Sequence, residues 1–473
     1  MEIPIKKVDE NIWEIPKHEK MLVPGKVFAS KVLMDKIIKD GTLEQVKNVA
    51  CLKGIQGYSI ACPDCHFGYG FAIGGVAAFD VNEGIISPGG VGFDINCSVR
   101  MLKTNIPVDV FMKKQKEAVD ALFRIVPTGA GKKGAMTVEN DQLLDLMGKG
   151  ARWMVDNGFG KKEDYVFTES EGKLEGDPSE ISDLAIRRGR TQLGSLGSGN
   201  HFVEVQAVDK IFDSDVAKTF GISDDKNITL MIHCGSRGLG HQVASDFIRK
   251  MEQKFGFANL PDRQLINAPI QSPMGQKYVK AMNAAANFAF ANKQLITHNI
   301  REEFNKIFGD HDINVLYDIC HNIAKFEKHK IDGSVKEVCV HRKGATRSFG
   351  PGRQELPEKY RDVGQPVLIP GSMGTSSYLL CGTEKAEEVS FASTAHGAGR
   401  VMSRNQAMRD FSKEKVMHDL REKNVYLRGA SKRGIVEEGP GVYKDVDEVV
   451  KVSHEVGIGN LVVRVKPLGV IKG

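Results

Sequence analysis

No stretch of the chain approaches the roughly 20 consecutive apolar residues that a membrane-spanning helix requires. The opening residues, MEIPIKKVDENIWEIPKHEK, alternate charged and apolar side chains where a secretory signal needs an unbroken apolar core. Neither membrane nor export is expected, and the expected location is the cytoplasm. Cysteine is scarce and irregularly spread: Cys51, Cys62, Cys65, Cys97, Cys234, Cys320, Cys339 and Cys381 are the only ones in 473 residues. That argues for reduced thiols over a disulfide framework. An excess of one charge is also missing, since the net charge is only +5. So small a value neither announces nor excludes a polyanionic partner, because net charge says nothing about clustering. Internal repeats, low-complexity tracts, heptads and Pro- or Ser-rich linkers are absent as well, so the reading is one large domain, 1–473.

What the chain does have is glycine: 50 residues, about half again the usual share. Loops and turns must therefore carry much of the architecture. Apolar periodicity predicts helices over roughly 30–40, 108–125, 142–157 and 278–308, the last alanine-rich, free of Pro and Gly, and stopped by Gly309-Asp310. Short β-branched or aromatic runs predict strands at Ile95–Met101, Phe202–Val208, Asn227–Ile232, Asn314–Tyr317, Glu337–Val340 and Leu461–Val465. A charged, glycine-containing stretch from Lys161, KKEDYVFTESEGKLEGDPSE, reads as an exposed excursion. Helices and strands mix without a strict βαβ rhythm, which favours a mixed α/β (α+β) fold over a Rossmann fold or a TIM barrel.

The metal-capable side chains follow or end these strand-like runs and sit among glycines. SPGGVGFDINCSVR, from Ser87, carries Asp94 and Cys97; GSGNHFVEV, from Gly197, carries Asn200 and His201. ITLMIHCGSRGLG ends a strand at His233, VLYDICHN brings His321 after another, and STAHGAGR sets His396 between small residues. Imidazoles, a thiolate and a carboxylate make a credible transition-metal site, and a further histidine lets the thiolate bridge two ions. Taken singly, each has a plainer explanation: a satisfied buried histidine, a small buried thiol, a turn-capping aspartate. Glycine loops let backbone and phosphate approach closely, but GYGFAIGG and GSLGSG lack the lysine and hydroxyl of a P-loop.

CPDCH, from Cys62 to His66, invites a zinc or redox reading. No second CxxC or paired His motif stands at suitable spacing. Pro63-Asp64 and the following FGYGFAIGG read as loop, where a redox motif would open a helix. Asp64 and His66 are left as candidates to orient metal-ligand side chains.

Seven stretches, in this order, carry a resemblance: CPDCHFGYGFAIGG, SPGGVGFDINCSVR, LGSLGSGNHFVEVQ, HCGSRGLGHQ, HRKGATRSFGPG, LIPGSMGTSSYLL and STAHGAGR. Together they resemble the RtcB family of RNA-splicing ligases, from about residue 20 onward. The resemblance implies a single large domain with mixed sheets around a central metal cleft, flanked by helices. It implies an activity that seals 2′,3′-cyclic phosphate or 3′-phosphate RNA ends to 5′-hydroxyl ends with GTP and Mn²⁺. Asp94, Cys97 and His201 would hold one manganese ion; Cys97, bridging, would hold a second with His233 and His321. His396 would be the nucleotide-accepting nucleophile.

The same resemblance implies nucleotide contacts from Asn200, His201, Phe202, Val203 and Glu204, and from His321 and Asn322. Pro370, Gly371, Ser372 and Met373, with Ser377, would serve phosphate and base; Gly397, Ala398 and Gly399 would flank the nucleophile; Tyr443 and Lys472 would meet the guanine. Arg237, Lys343, Arg347, Arg400 and Arg404 are candidate RNA contacts, although solvated surface is the commoner fate of such side chains. Arg400 and Arg404, four apart, are expected on one helical face. RNA is the implied partner, tRNA halves or broken RNA, with the small activating protein archease as a further one. By ligand softness alone the donor set suits zinc, so manganese is what the resemblance implies. Two rival classes use the same residues differently: a metal-dependent phosphodiesterase or phosphatase, and a non-catalytic RNA-binding module.

Overall fold

The computed structural model describes residues 3–473. Two large sheets dominate. The first has seven strands in the order Lys6–Asp9, Ile12–Ile15, Gly25–Phe28, Ile55–His66, Ile73–Asp80, Ser334–Lys343 and Asn322–Ile331. The second runs Ile313–Cys320, Ser98–Pro107, Asn227–Cys234, Phe202–Ile211, Asn460–Lys472, Ser377–Cys381 and Pro366–Ile369, with Tyr426–Gly429 parallel to Asn460–Lys472. The expected mixed α/β class is what the chain adopts. His321 stands alone between the last residue of Ile313–Cys320 and the first of Asn322–Ile331, the point where the chain leaves one sheet for the other.

Beneath the second sheet runs a helix of 36 residues, Pro273–Phe308. Ser272 caps it by accepting from the Gly275 amide, proline opens its first turn, and Gly309 ends it at φ 95°. Its alanines pack closely, and its few buried polar side chains tie down loops. Asn292 Oδ1 accepts from the amides of Gly194 and Ser195 at 2.8 and 3.1 Å, just ahead of His201. The carbonyl of Ala286 accepts from Asn96 Nδ2 at 2.8 Å, next to Cys97. Between the strand that follows Cys97 and the strand that precedes His321, Arg100 Nε meets Asp318 Oδ2 at 2.9 Å with both side chains fully buried. The core is thus a platform for particular loops as well as an apolar filling.

Several expectations change. The 108–125 helix breaks at Lys114 (φ −121°, ψ 16°) into Val108–Lys113 and Gln115–Ile125. The 142–157 helix breaks at Gly150, whose φ of 63° leaves the helical region. Pro63-Asp64 lies within the strand Ile55–His66, not in a loop; the register shifts between Ala61 and His66, and such a bulge is where a strand tolerates proline. The stretch from Lys161 is an exposed excursion only in part. Lys161, Lys162, Glu163, Glu171 and Glu175 are exposed, but Asp164 and Glu169 are buried, paired with Arg301 at 2.6 Å and Lys325 at 2.6 Å, so these two charges are tethers. No helix among the described residues is long and apolar enough to cross a membrane, and the cysteines are unpaired.

Candidate metal centre and nucleotide cleft

Four neighbouring antiparallel strands bring the donors to one edge of the second sheet. Cys97 and His201 immediately precede Ser98–Pro107 and Phe202–Ile211; His233 lies at the end of Asn227–Cys234, and His321 follows Ile313–Cys320. Because antiparallel neighbours alternate direction, strand starts and strand ends meet at the same rim. The register pairs Val99 and Phe202 with His233, and Cys320 with Ser98.

The donor atoms converge. Cys97 Sγ lies 3.3 Å from His201 Nε2 and 3.2 Å from His233 Nε2, and His233 Nε2 lies 3.3 Å from His321 Nε2. Asp94 Oδ2 lies 2.9 Å from His201 Nε2. Two groups result, Asp94–Cys97–His201 and Cys97–His233–His321, sharing the thiol, and in each the donor atoms lie within 4.8 Å of one another. His201 Nδ1–H donates to the Leu196 carbonyl at 2.9 Å, which turns the Nε2 lone pair toward the cluster. Burial, reinforced by neighbouring positive groups, holds His233 and His321 far below the usual histidine range, so both are neutral and free to donate a lone pair. Burial and Asp94 push the Cys97 thiol well up, so a cation must displace its proton. Gly235 is required here, because a Cβ would come within 2.4 Å of Asp94 Oδ1. This donor set fits a pair of divalent cations bridged by one thiolate.

His396 stands across from this rim, its ring 4.9 Å from that of His321. Asp64, fully buried on the bulged strand, accepts from His396 Nδ1 at 2.6 Å and from the His396 and Gly397 amides at 3.0 and 3.3 Å. Burial pushes the Asp64 carboxyl up, but the adjoining His396 ring, the hydrogen bonds from His396 and the Lys444 ammonium outweigh it and leave it below its ordinary value. With Nδ1–H given to Asp64, Nε2 carries the free lone pair. Gly399 closes the turn at φ 72°, where a Cβ would sit 2.0 Å from the Asp64 carbonyl oxygen. The cleft between these groups has a volume of about 410 Å³.

A family model described as tRNA-splicing ligase RtcB matches residues 45–473. A tRNA-splicing ligase RtcB of Thermococcus kodakarensis is 52% identical over 480 residues, covering 100% of this chain and 99% of that protein. Proteins of the same name from Methanococcus maripaludis and Archaeoglobus fulgidus are 51% and 52% identical, each over the full length of both chains. The chain belongs to the RtcB family.

Most residues expected from the family's motifs do meet in this cleft. Asn200, Phe202 and Glu204 line one wall, with Tyr443 and Lys472 beside them. Lys472 faces Phe202 across the strand pair. Pro370, Gly371, Ser372 and Met373 and the Gly397–Gly399 turn form another wall, and His321, Asn322 and Lys343 a third. Lys343 donates to the carbonyls of Tyr69 and Phe71, and burial without a carboxylate partner brings its ammonium down to about 7.

Others fall elsewhere. The Val203 side chain, alternating with Phe202 and Glu204, points to the opposite face of the sheet and packs with Leu230 and Ile232. Ser377 lies behind the wall, its hydroxyl accepting from the Gly371 amide at 3.1 Å. Arg237 stays outside the cleft lining, its Nε donating to Ser195 Oγ at 3.3 Å. Arg347 is not at the cleft; it is buried, 3.6 Å from Glu169 and 3.9 Å from Glu327, at the edge of a second cavity. Arg400 and Arg404 do not share a helical face, since Arg400 bridges to Tyr443 before the helix Arg404–Asp410 begins. Both nonetheless reach the cleft. The charged lining residue that sequence reasoning missed is Glu438, fully buried, whose neighbours Glu437 and Gly439 gave it no motif of its own; Tyr69, Ile73 and Phe93 also line the cleft without having been singled out.

Proposed function

We propose that the chain is a GTP- and manganese-dependent RNA ligase that joins 2′,3′-cyclic phosphate or 3′-phosphate RNA ends to 5′-hydroxyl ends, with His396 accepting the guanylyl group. The observation that carries this reading is the Asp64–His396 pair at 2.6 Å beside a ring of donors that needs no further imidazole. A phosphodiesterase or phosphatase built on the same donor groups would use this histidine as a general acid for the leaving group; membership of a family described as tRNA-splicing ligase favours the nucleotide-accepting role, and a passive RNA-binding module has no use for either. Residues from 66 to 472 and strands of both sheets contribute to one cleft, which supports a single catalytic domain over 1–473.

Bound manganese would neutralise charge on the phosphoryl oxygens and orient the leaving group. His396 Nε2 attacks the α-phosphorus of GTP; the P–N bond forms as the α–β P–O bond breaks and pyrophosphate leaves. Asp64 keeps the Nδ1 proton on the ring and stabilises the positive charge that develops there. After water has opened a cyclic end, an oxygen of the RNA 3′-phosphate takes the guanylyl group from His396, breaking the P–N bond. The 5′-hydroxyl then attacks the 3′-phosphorus, its proton is released, and GMP departs. Phe202, Tyr443, Glu204 and Lys472 bound the base; Lys343, Arg400 and Arg404 face the RNA phosphates. The reading is tested with a 3′-phosphate RNA and a 5′-hydroxyl RNA, incubated with GTP and Mn²⁺. A ligase gives joined product that depends on both, whereas a hydrolase gives a 3′-hydroxyl end and no joined product.

A further inference from the structure

Glu438 is a carboxylate where ligand phosphates would repel it. On the ligase reading the cleft admits two polyanions, nucleotide and RNA, yet the Glu438 side chain is fully buried in its lining. Its partners on the protein offset the burial. One oxygen, Oε1, accepts from Arg400 Nη1 at 3.2 Å and lies 3.7 Å from Arg404 Nε. The other, Oε2, accepts from the Tyr443 hydroxyl and lies 3.9 Å from Lys472 Nζ. Arg400 also sits 5.4 Å over the Tyr443 ring, and Lys472 Nζ sits 5.6 Å over the Phe202 ring. One oxygen serves the arginines and the other serves the pair at the base.

We infer that Glu438 is a positioning residue that holds Lys472 and Tyr443 as the reader of the nucleotide base and ties them to Arg400 and Arg404; this rests on the ligase reading. An ammonium can only donate, so at a fixed point it matches the 6-oxo group of a purine and is mismatched to a 6-amino group. Base discrimination therefore requires that the ammonium be held. Glu438 is the one carboxylate within 4.0 Å of Lys472 among the described residues. Glu204, the other carboxyl facing Lys472, is pushed up to about 8 by burial, so before a nucleotide binds it carries little charge near neutral pH to hold the ammonium. Without the Glu438 charge, Arg400 keeps only the Met402 and Glu437 carbonyls, at 3.2 and 3.0 Å.

The experiment is single-turnover guanylylation of the protein with GTP, ITP and ATP in turn, with Mn²⁺, comparing wild type with Glu438→Gln. We expect the apparent KM for GTP to rise about tenfold or more, as for loss of a charged hydrogen-bonding partner. The limiting rate should change less than about threefold, and the preference for the two 6-oxopurines over ATP should fall by a factor similar to the KM change. That preference is a ratio, so a lower folded yield does not move it. Should Glu438→Gln not fold, Glu438→Asp, which keeps the charge but withdraws it by one methylene, should lower the same ratio by less. An unchanged ratio in the folded variant overturns the assignment of Glu438. If wild type itself takes no guanylyl group on His396, it is the ligase reading that fails; if it does and only the ratio is unmoved, Glu438 alone is reassigned.

Discussion

Asp64 Oδ2 takes three hydrogen bonds from the His396–Gly397 segment: the imidazole Nδ1 at 2.6 Å and the two amides at 3.0 and 3.3 Å. One carboxylate thus fixes the tautomer, the ring orientation and the backbone of the turn that presents Nε2 to the cleft. Asp64→Asn keeps the shape but offers an amide that can donate to Nδ1 and so stabilise the wrong tautomer. Guanylylation of His396 should fall by about 100-fold to 10⁴-fold, the range between losing an orienting partner and imposing the wrong tautomer. Manganese binding, followed by a metal-induced rise in Tm, should be retained; a variant that guanylylates at the wild-type rate would remove Asp64 from the mechanism.

Cys97 belongs to both donor groups. Cys97→Ala should therefore abolish binding at both positions, whereas His201→Ala should affect chiefly the group with Asp94. At a Mn²⁺ concentration about 100-fold over Kd, a bound ion stabilises the fold by about 2.7 kcal/mol. Wild type should show the corresponding rise in Tm and Cys97→Ala none. Zinc, favoured by the thiol and imidazoles, should bind the same groups and inhibit. An undiminished Mn²⁺-dependent rise in Cys97→Ala would contradict the shared thiolate.

Burial pushes the Glu204 carboxyl from its ordinary 4.5 up to about 8. The folded state then holds a proton that the unfolded state has lost between those values, so this group's contribution to stability falls as pH rises across that window. Glu204→Gln removes the penalty; its gain in Tm over wild type should be small near pH 5 and fully developed by about pH 8.5. Guanine presents N1–H and N2–H donors that favour the ionised carboxylate, so GTP binding below about pH 8 should release a proton. Calorimetry in buffers of different ionisation enthalpy reads that release, and heats independent of buffer would contradict it.

Arg347 was expected at RNA but is buried against Glu169, Glu327 and Gln365. Arg347→Met should cost about 3–5 kcal/mol of stability, because it leaves buried carboxylates short of a partner. Guanylylation per folded molecule should stay within about twofold of wild type. Denaturant unfolding and active-site titration check the two halves; a large activity loss in a fully stable variant would return Arg347 to the cleft.

The convergence of Cys97, His201, His233 and His321 was legible because each borders or ends an apolar strand run, and antiparallel pairing then brings starts and ends to one rim. The long helix was legible from its alanines and its Gly309 stop; its start, at Pro273, lies about a turn and a half earlier than expected and takes in Pro273 and Gly275. Three features were hidden. The strand through Cys62–His66 looked like loop because proline suits few strand positions, and the bulge that admits it depends on the partner strand. The charges after Lys161 looked solvated because their partners, Arg301, Lys325 and Arg347, lie more than a hundred residues away. Glu438 was hidden because only the fold brings it together with Arg400, Arg404, Tyr443 and Lys472.

The account rests on His396 becoming covalently charged, and the direct measurement is incubation with α-labelled GTP and Mn²⁺ followed by denaturing separation. Wild type should retain an acid-labile, alkali-stable label that maps to His396, and His396→Ala, folded and still binding manganese, should retain none. Label that persists in His396→Ala, or no label in a wild-type protein that has bound its metal, would contradict the account.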